Sequence, residues 1–284
     1  MQSELIGAPK IDCHLHLFDP ARFPYAPDAL YRPQGAEIAT REQLLAVFAS
    51  AGVERALLVQ PTSGYGTDNS AMLDAIARSG GLWKGIALVA PDISHDALAD
   101  LKAQGIVGVA YLMAGAAPGA FRDHAALTEK LVDLDMVLDI QFEGDGIFEA
   151  LEVIGDSPVR LAIDHCGRPD LRAGIDSPAF RALLALSERA APTVLKLSGQ
   201  HKFAPFPHPF TAADPFLAEL LGAYSPARTV WGSDWPFLRV EERVDYGPLL
   251  PLVARQLPDP DDRDQVFRRT ALGMFWDTVP TGAS

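Results

Sequence analysis

The strongest constraint on how this chain can fold is an alternation that runs through nearly all of it: a short apolar run, a segment with helical spacing, then another apolar run. Candidate strands begin at Lys10–Phe18, Glu54–Gln60, Trp83–Val89 and Val107–Met113. They continue at Met136–Phe142, Val159–Asp164, Thr193–Ser198 and Thr229–Ser233. Runs such as ERALLVQ, VRLAID and MVLDIQF show little polar alternation, the pattern of strands covered on both faces of a parallel sheet. Helical patterns fill the gaps at Thr40–Gly52, Asp68–Ser79, His95–Gln104, Asp123–Leu134, Gly146–Ile154, Pro178–Ala190, Ala213–Tyr224 and Tyr246–Gln256. Thr40 is placed to cap the first of these and Gly52 to end it, while Asp68 is placed to cap the second. A last helix, about Asp261–Met274, is expected against the bottom or side of the structure.

Eight strands alternating with eight helices predict a single (β/α)8 TIM barrel over residues 1–284, with an extra C-terminal helix. An open doubly wound sheet would need a Gly-rich phosphate turn after its first strand. The residues there are DPARFPYAPDALYRP, a Pro- and aromatic-rich loop better suited to a lid.

A net charge of −13 without a basic stripe excludes a nucleic-acid partner. It does not exclude an anionic small molecule, since salt screens a distant acidic surface beyond about 8–10 Å. No run approaches the ~18 apolar residues of a membrane helix, and the N-terminus lacks a signal-peptide profile, so a cytoplasmic location is expected. The expected partner is a small-molecule substrate, with assembly into a homo-oligomer left open. Cys13 and Cys166, the only cysteines, are expected to be reduced. Cys13 reads as a small buried filler on the strand face opposite His14.

Polar residues concentrate where strands end, which in a barrel is the catalytic face. Strand one ends in Asp12-Cys13-His14-Leu15-His16, and histidines two apart on a strand point the same way. Strand six runs into Asp164-His165-Cys166-Gly167-Arg168-Pro169-Asp170, and strand eight into Trp231-Gly232-Ser233-Asp234-Trp235-Pro236. His14, His16, His165 and Asp234 therefore form one candidate catalytic set. Asp234 can take a proton from water if a partly dry pocket raises its pKa toward neutrality. The histidines can either polarise a carbonyl oxygen or ligate a metal. Arg168 fits a substrate carboxylate or a salt bridge with Asp170. Lys196, inward on strand seven with Ser198, should meet a carboxylate or the substrate. The loop Gly199-Gln200-His201-Lys202-Phe203 adds donors within reach of a ligand, His201 among them, and Gln60 is placed to line the pocket.

On these residues the chain resembles the amidohydrolase superfamily, within it the branch of 2-pyrone-4,6-dicarboxylate hydrolase and sugar-lactone hydrolases. The resemblance extends to Phe23-Pro24-Tyr25-Ala26-Pro27 with Tyr31, and to Gly66-Thr67-Asp68-Asn69. It implies Asp234 as the base that activates water. It also implies that His14, His16 and His165 surround an ester carbonyl or, with Asp234, hold one divalent ion, zinc first among candidates. Tyr31 and Arg168 match substrate-contact positions. Strand four, Val107-Gly108-Val109-Ala110-Tyr111-Leu112-Met113, lacks the bridging Lys or Glu of two-metal members, so a binuclear site is not expected. Ala110 stands where the pyrone hydrolase has arginine and Gln141 where it has tyrosine, which points to a less charged substrate such as a sugar lactone. The implied activity is lactone hydrolysis. A metal-dependent decarboxylase of an unsaturated or aromatic carboxylate, a lactone isomerase, and a catalytically silent binding barrel are the alternatives.

Overall fold

Alternate residues of the apolar runs face opposite ways and build two cores. Ile11, Leu57, Ile86, Val137, Ala162, Val194 and Val230 pack together in an inner cluster. Leu58, Leu138, Ile140, Leu161, Ile163, Leu195 and Leu197 join an outer cluster with the helices. The computed structural model describes residues 2–240 and 242–276. Its strands are β1 (Lys10–Leu15), β2 (Val53–Val59), β3 (Trp83–Ala87), β4 (Ile106–Leu112), β5 (Val137–Gln141), β6 (Arg160–Ile163), β7 (Thr193–Leu197) and β8 (Thr229–Trp231). Each pairs in parallel with the next, in the order β1 to β8, so the inner cluster is the barrel interior.

The helices lie outside, and their start and stop signals work locally. Thr40 and Gln43 form a reciprocal capping box for Arg41–Ala51, and Gly52 ends that helix at φ 71°. Asp68 does not cap a helix; it accepts from the Ser70 amide beside the start of Ser70–Ala77. The C-terminal helix begins at Pro260–Asp264 and widens into π-helical turns at Gln265–Arg269 and Leu272–Trp276. Ala271, Met274 and Phe275 enter the inner cluster beside the first halves of the strands, so this segment plugs the barrel bottom. No helix among the described residues is long and apolar enough to cross a membrane.

Two departures from the expected strands shape the mouth. Opposite β2, Asp12 pairs with Ala56 but Leu15 with Leu58, so β1 carries an extra residue. Such a bulge re-aims side chains: Cys13 stays in the inner cluster, yet His14 also faces inward. Cys13 is a buried filler as expected, but inside the barrel and not behind the strand.

The second departure is at β8, whose ladder with β7 ends at Trp231 and not at Ser233. The chain then turns to β1: the Asp234 amide donates to the His14 carbonyl (2.8 Å) and the His16 amide to the Trp235 carbonyl (2.9 Å). Buried Asp12 ties this seam. It accepts from the Ser233 amide (2.9 Å), the His14 amide (3.2 Å) and the Tyr246 hydroxyl (2.8 Å). Burial nevertheless raises its pKa to about 6.

At pH 8, where Asp12 is charged, replacing Tyr246 by Phe should cost about 1.5–3 kcal/mol, the worth of a hydrogen bond to a charged group. Urea unfolding checks this; an unchanged midpoint would remove Tyr246 from the seam.

Candidate active site

Each residue of the catalytic set is delivered by a local irregularity at a strand end. The β1 bulge turns His14 inward, and His16 follows two residues later. After β6 the backbone turns left-handed through His165 (φ 50°), Cys166 (57°), Gly167 (68°) and Arg168 (41°). Asp234 is also left-handed, at φ 62°. Non-glycine residues in this region cost about 1–3 kcal/mol each and persist where the surroundings hold them. Two glycines make room: a Cβ at Gly232 would lie 2.7 Å from His14 Cβ, and one at Gly199 2.3 Å from His165 Nδ1.

The result is a converging set. Asp234 Oδ1 lies 3.7 Å from His14 Nε2, 3.3 Å from His16 Nε2 and 3.9 Å from His165 Nε2. Its other oxygen, Oδ2, lies 3.1 Å from His201 Nε2 and 3.5 Å from Lys202 Nζ. The outer nitrogens are held from behind. His14 Nδ1 lies 3.0 Å from Asp164 Oδ1, His16 Nδ1 donates to the Val59 carbonyl (2.9 Å), and His165 Nδ1 bonds Ser198 Oγ (3.0 Å).

Electrostatics decide the protonation states. Burial would raise the Asp234 pKa, but Lys202 and the neighbouring imidazoles outweigh it and hold the group well below the usual range. The expected rise toward neutrality is therefore corrected: Lys202 and the surrounding imidazole nitrogens face the carboxylate, so Asp234 is ionised. Burial lowers the pKa of both His14 and His165 and keeps them neutral; Lys196 adds to this at His14.

This donor set can be tested against a metal. A carbonyl only accepts, so His16 Nδ1 carries a proton and Nε2 is the nitrogen turned toward Asp234. His14 Nε2 is buried and makes no hydrogen bond. An imidazole nitrogen facing a carboxylate oxygen needs a proton or a metal cation between them, and the unpartnered His14 Nε2 leaves room for the latter. One donor atom each from His14, His16 and Asp234 lies within 4.8 Å of the others. These residues fit one divalent ion, with outer nitrogens fixed as metal-binding histidines require. A second grouping, His14, Asp164 and His165, does not fit, because Lys196 Nζ already sits 2.9 Å from Asp164 Oδ1. No metal-ligating side chain occurs on β4, and Ala110 is packed in the inner cluster.

Above the set lies a cavity of about 550 Å³, lined by His16, Gln141, His165, Arg168, His201, Lys202, Asp234 and Arg239, among others. Gln141, Arg168 and His201 thus reach the pocket. Arg168 is not paired with Asp170: its Nη2 meets Glu143 Oε2 at 2.6 Å, while Asp170 pairs with Arg172. Tyr31 stands back from the lining; its hydroxyl donates to Glu37, and the Arg239 guanidinium covers its ring at 4.2 Å. Lys196 and Gln60 do not line the pocket. Lys196 is wholly buried beneath it with Asp139 and Asp164, and the Gln60 amide is spent on the Gly66 and Asp68 carbonyls. Sequence reasoning assigned no role to Asp12, Asp139, Asp164 or Arg239. Asp139 had a signal, a charge at the inward alternate position of the apolar run MVLDIQF.

A family model for amidohydrolases matches residues 11–275. The chain belongs to the amidohydrolase family. Among its relatives, 4-sulfomuconolactone hydrolase of Rhizobium radiobacter is 32% identical over 256 residues, covering 87% of this chain and 83% of that one. A crystal structure of a probable 2-pyrone-4,6-dicarboxylic acid hydrolase from Acinetobacter baumannii, with citric acid bound, superposes with a TM-score of 0.84 at 26% identity. It covers 94% of this chain and 98% of that one. An amidohydrolase of Burkholderia multivorans, solved with bound zinc, shares the fold at a TM-score of 0.73 and 20% identity, over 94% and 99% of the two chains.

For this amidohydrolase, Gly199→Ala should push His165 out of place and lower kcat/KM roughly 100-fold, the usual penalty of an ångström-scale misplacement. Circular dichroism should be unchanged. Near-normal turnover would show that His165 tolerates displacement.

Proposed function

We propose that this chain is a lactone hydrolase, opening a cyclic ester by attack of water on its carbonyl carbon. The observation that carries the proposal is the convergence of three imidazole Nε2 atoms on one oxygen of an ionised, buried Asp234 at the floor of the cavity. Asp234 accepts a proton as the water oxygen bonds to the carbonyl carbon. The tetrahedral carbon then expels the ring oxygen, which takes that proton, and a hydroxy acid or its tautomer leaves. When bound to His14, His16, His165 and Asp234, a divalent ion supplies Lewis acidity at the carbonyl oxygen; we assign zinc, which suits this nitrogen-rich set. His201 Nε2 and Lys202 Nζ lie beside the second Asp234 oxygen and so favour the orientation in which Oδ1 faces the other imidazoles.

The substrate we assign is a lactone bearing an acidic group. Ala110 and Gln141 argue for less charge, but Arg168, Lys202 and Arg239 come to the lining from the loops after β6, β7 and β8. Arg168 and Lys202 each face a carboxylate, Glu143 and Asp234, whereas no carboxylate among the described residues lies within 4.0 Å of the Arg239 guanidinium. The relatives' names, a sulfonated lactone and a dicarboxylated pyrone, support a cyclic ester with acidic substituents.

A panel of neutral sugar lactones, acidic sugar lactones and pyrone carboxylates, with metal content measured on the same sample, tests this. Acidic lactones should show the highest kcat/KM, and Asp234→Asn should lower kcat roughly 10²–10⁴-fold. Turnover of no lactone, or near-normal turnover by Asp234→Asn, would contradict the proposal. Carbon dioxide release without ring opening would favour a decarboxylase instead.

A further inference from the structure

Two ionisable residues in the barrel interior take no part in the chemistry described above. Asp139 on β5 and Lys196 on β7 are fully buried, and neither lines the cavity. Lys196 Nζ lies 2.6 and 2.8 Å from the two Asp139 oxygens, 2.9 Å from Asp164 Oδ1 and 3.3 Å from His14 Nδ1. His14 Nδ1 is in turn 3.0 Å from Asp164 Oδ1. Apolar residues of similar size often fill such a space at no loss of stability, so a buried carboxyl–amine pair invites a role other than packing.

The geometry leaves a neutral His14 with two ways to satisfy Nδ1. With a proton there, Nδ1 donates to Asp164, and Nε2 turns its lone pair to the site. With the proton on Nε2, Nδ1 accepts from Lys196, and an N–H points toward Asp234. An ammonium is a donor only, so the choice depends on where the Lys196 N–H bonds are drawn. We propose that Asp139 fixes the tautomer of His14: it draws the Lys196 N–H bonds to itself, leaving Asp164 as the partner of His14 Nδ1 and the Nε2 lone pair facing the site. Asp139 and Lys196 are then positioning residues. Losing Asp139 alone frees a Lys196 donor to bond His14 Nδ1, which moves the ring proton to Nε2. Losing both removes the competing donor along with its restraint, so Asp164 keeps its hold on Nδ1.

Nitrogen NMR of 15N-histidine-labelled protein, freed of metal so that His14 Nε2 is open to a proton, reads the tautomer directly. The unaltered protein should carry the His14 proton on Nδ1, and Asp139→Asn should move it to Nε2. The double variant Asp139→Leu/Lys196→Met should return it to Nδ1. In step with this, kcat should fall about 10–100-fold in Asp139→Asn with KM unchanged, and recover in the double variant; partners behind a ligating histidine typically carry that weight. A proton on Nε2 in the unaltered protein overturns the proposal, and so does an unmoved proton in Asp139→Asn. If Asp139→Asn does not fold, the unaltered protein and the double variant decide it, the latter against the proposal if its His14 proton sits on Nε2. The kinetic arm rests on lactone hydrolysis being the reaction; the NMR arm does not, so failure of one is distinguishable from failure of the other.

Discussion

The seam between β1 and the end of β8 is the constraint on which the site depends. Seven of the strand junctions are parallel ladders, but this one is made from the catalytic segments themselves. The Asp234 amide bonds the His14 carbonyl, the His16 amide bonds the Trp235 carbonyl, and Asp12 grips both sides. Closing the barrel and placing the base against two of its histidines are therefore one event. Gly232 allows it, since any side chain there would strike His14. A change that loosens the seam is felt by the chemistry before it is felt by the far side of the barrel.

Beneath the seam the interior changes character. The first halves of the strands and the C-terminal plug fill the bottom with Ile, Val, Met and Phe. One layer higher, Asp139, Asp164 and Lys196 are buried together, and the protein offsets their desolvation by pairing them closely. Burial and the neighbouring Asp164 push Asp139 up to about 8. Asp164 is held well below the usual range because His14 and Lys196 outweigh its burial. This layer meets the site at His14, whose Nδ1 lies against Asp164, while the Val59 carbonyl and Ser198 hold the corresponding nitrogens of His16 and His165. The apolar floor below it keeps water from competing for those bonds.

Much of the architecture was legible in the sequence because a parallel barrel writes itself as repeated buried strands. The helix at Arg41–Ala51 was readable from Thr40 and Gly52 alone. His14, His16, His165 and Asp234 were legible together because strand ends in a barrel face one opening, a rule that needs no coordinates. What stayed hidden depends on small irregularities. A bulge in β1 put Cys13 and His14 on the same side, against simple alternation. The pairing of Arg168 with Glu143 joins two loops that no local pattern connects. The Asp234 pKa moved opposite to expectation because Lys202 and the imidazoles reach it from other strands, and composition carries no such distance.

The account holds that one ionised carboxylate among three imidazoles delivers water to an ester carbonyl. The most direct measurement is the fate of the water oxygen, followed by mass spectrometry of a lactone turned over in 18O-labelled water. Hydrolysis predicts one labelled oxygen in the new carboxylate of every product molecule and none in the hydroxyl released from the ring. Product formed without label would contradict it, because isomerisation or decarboxylation at the same residues leaves the water oxygen outside the product.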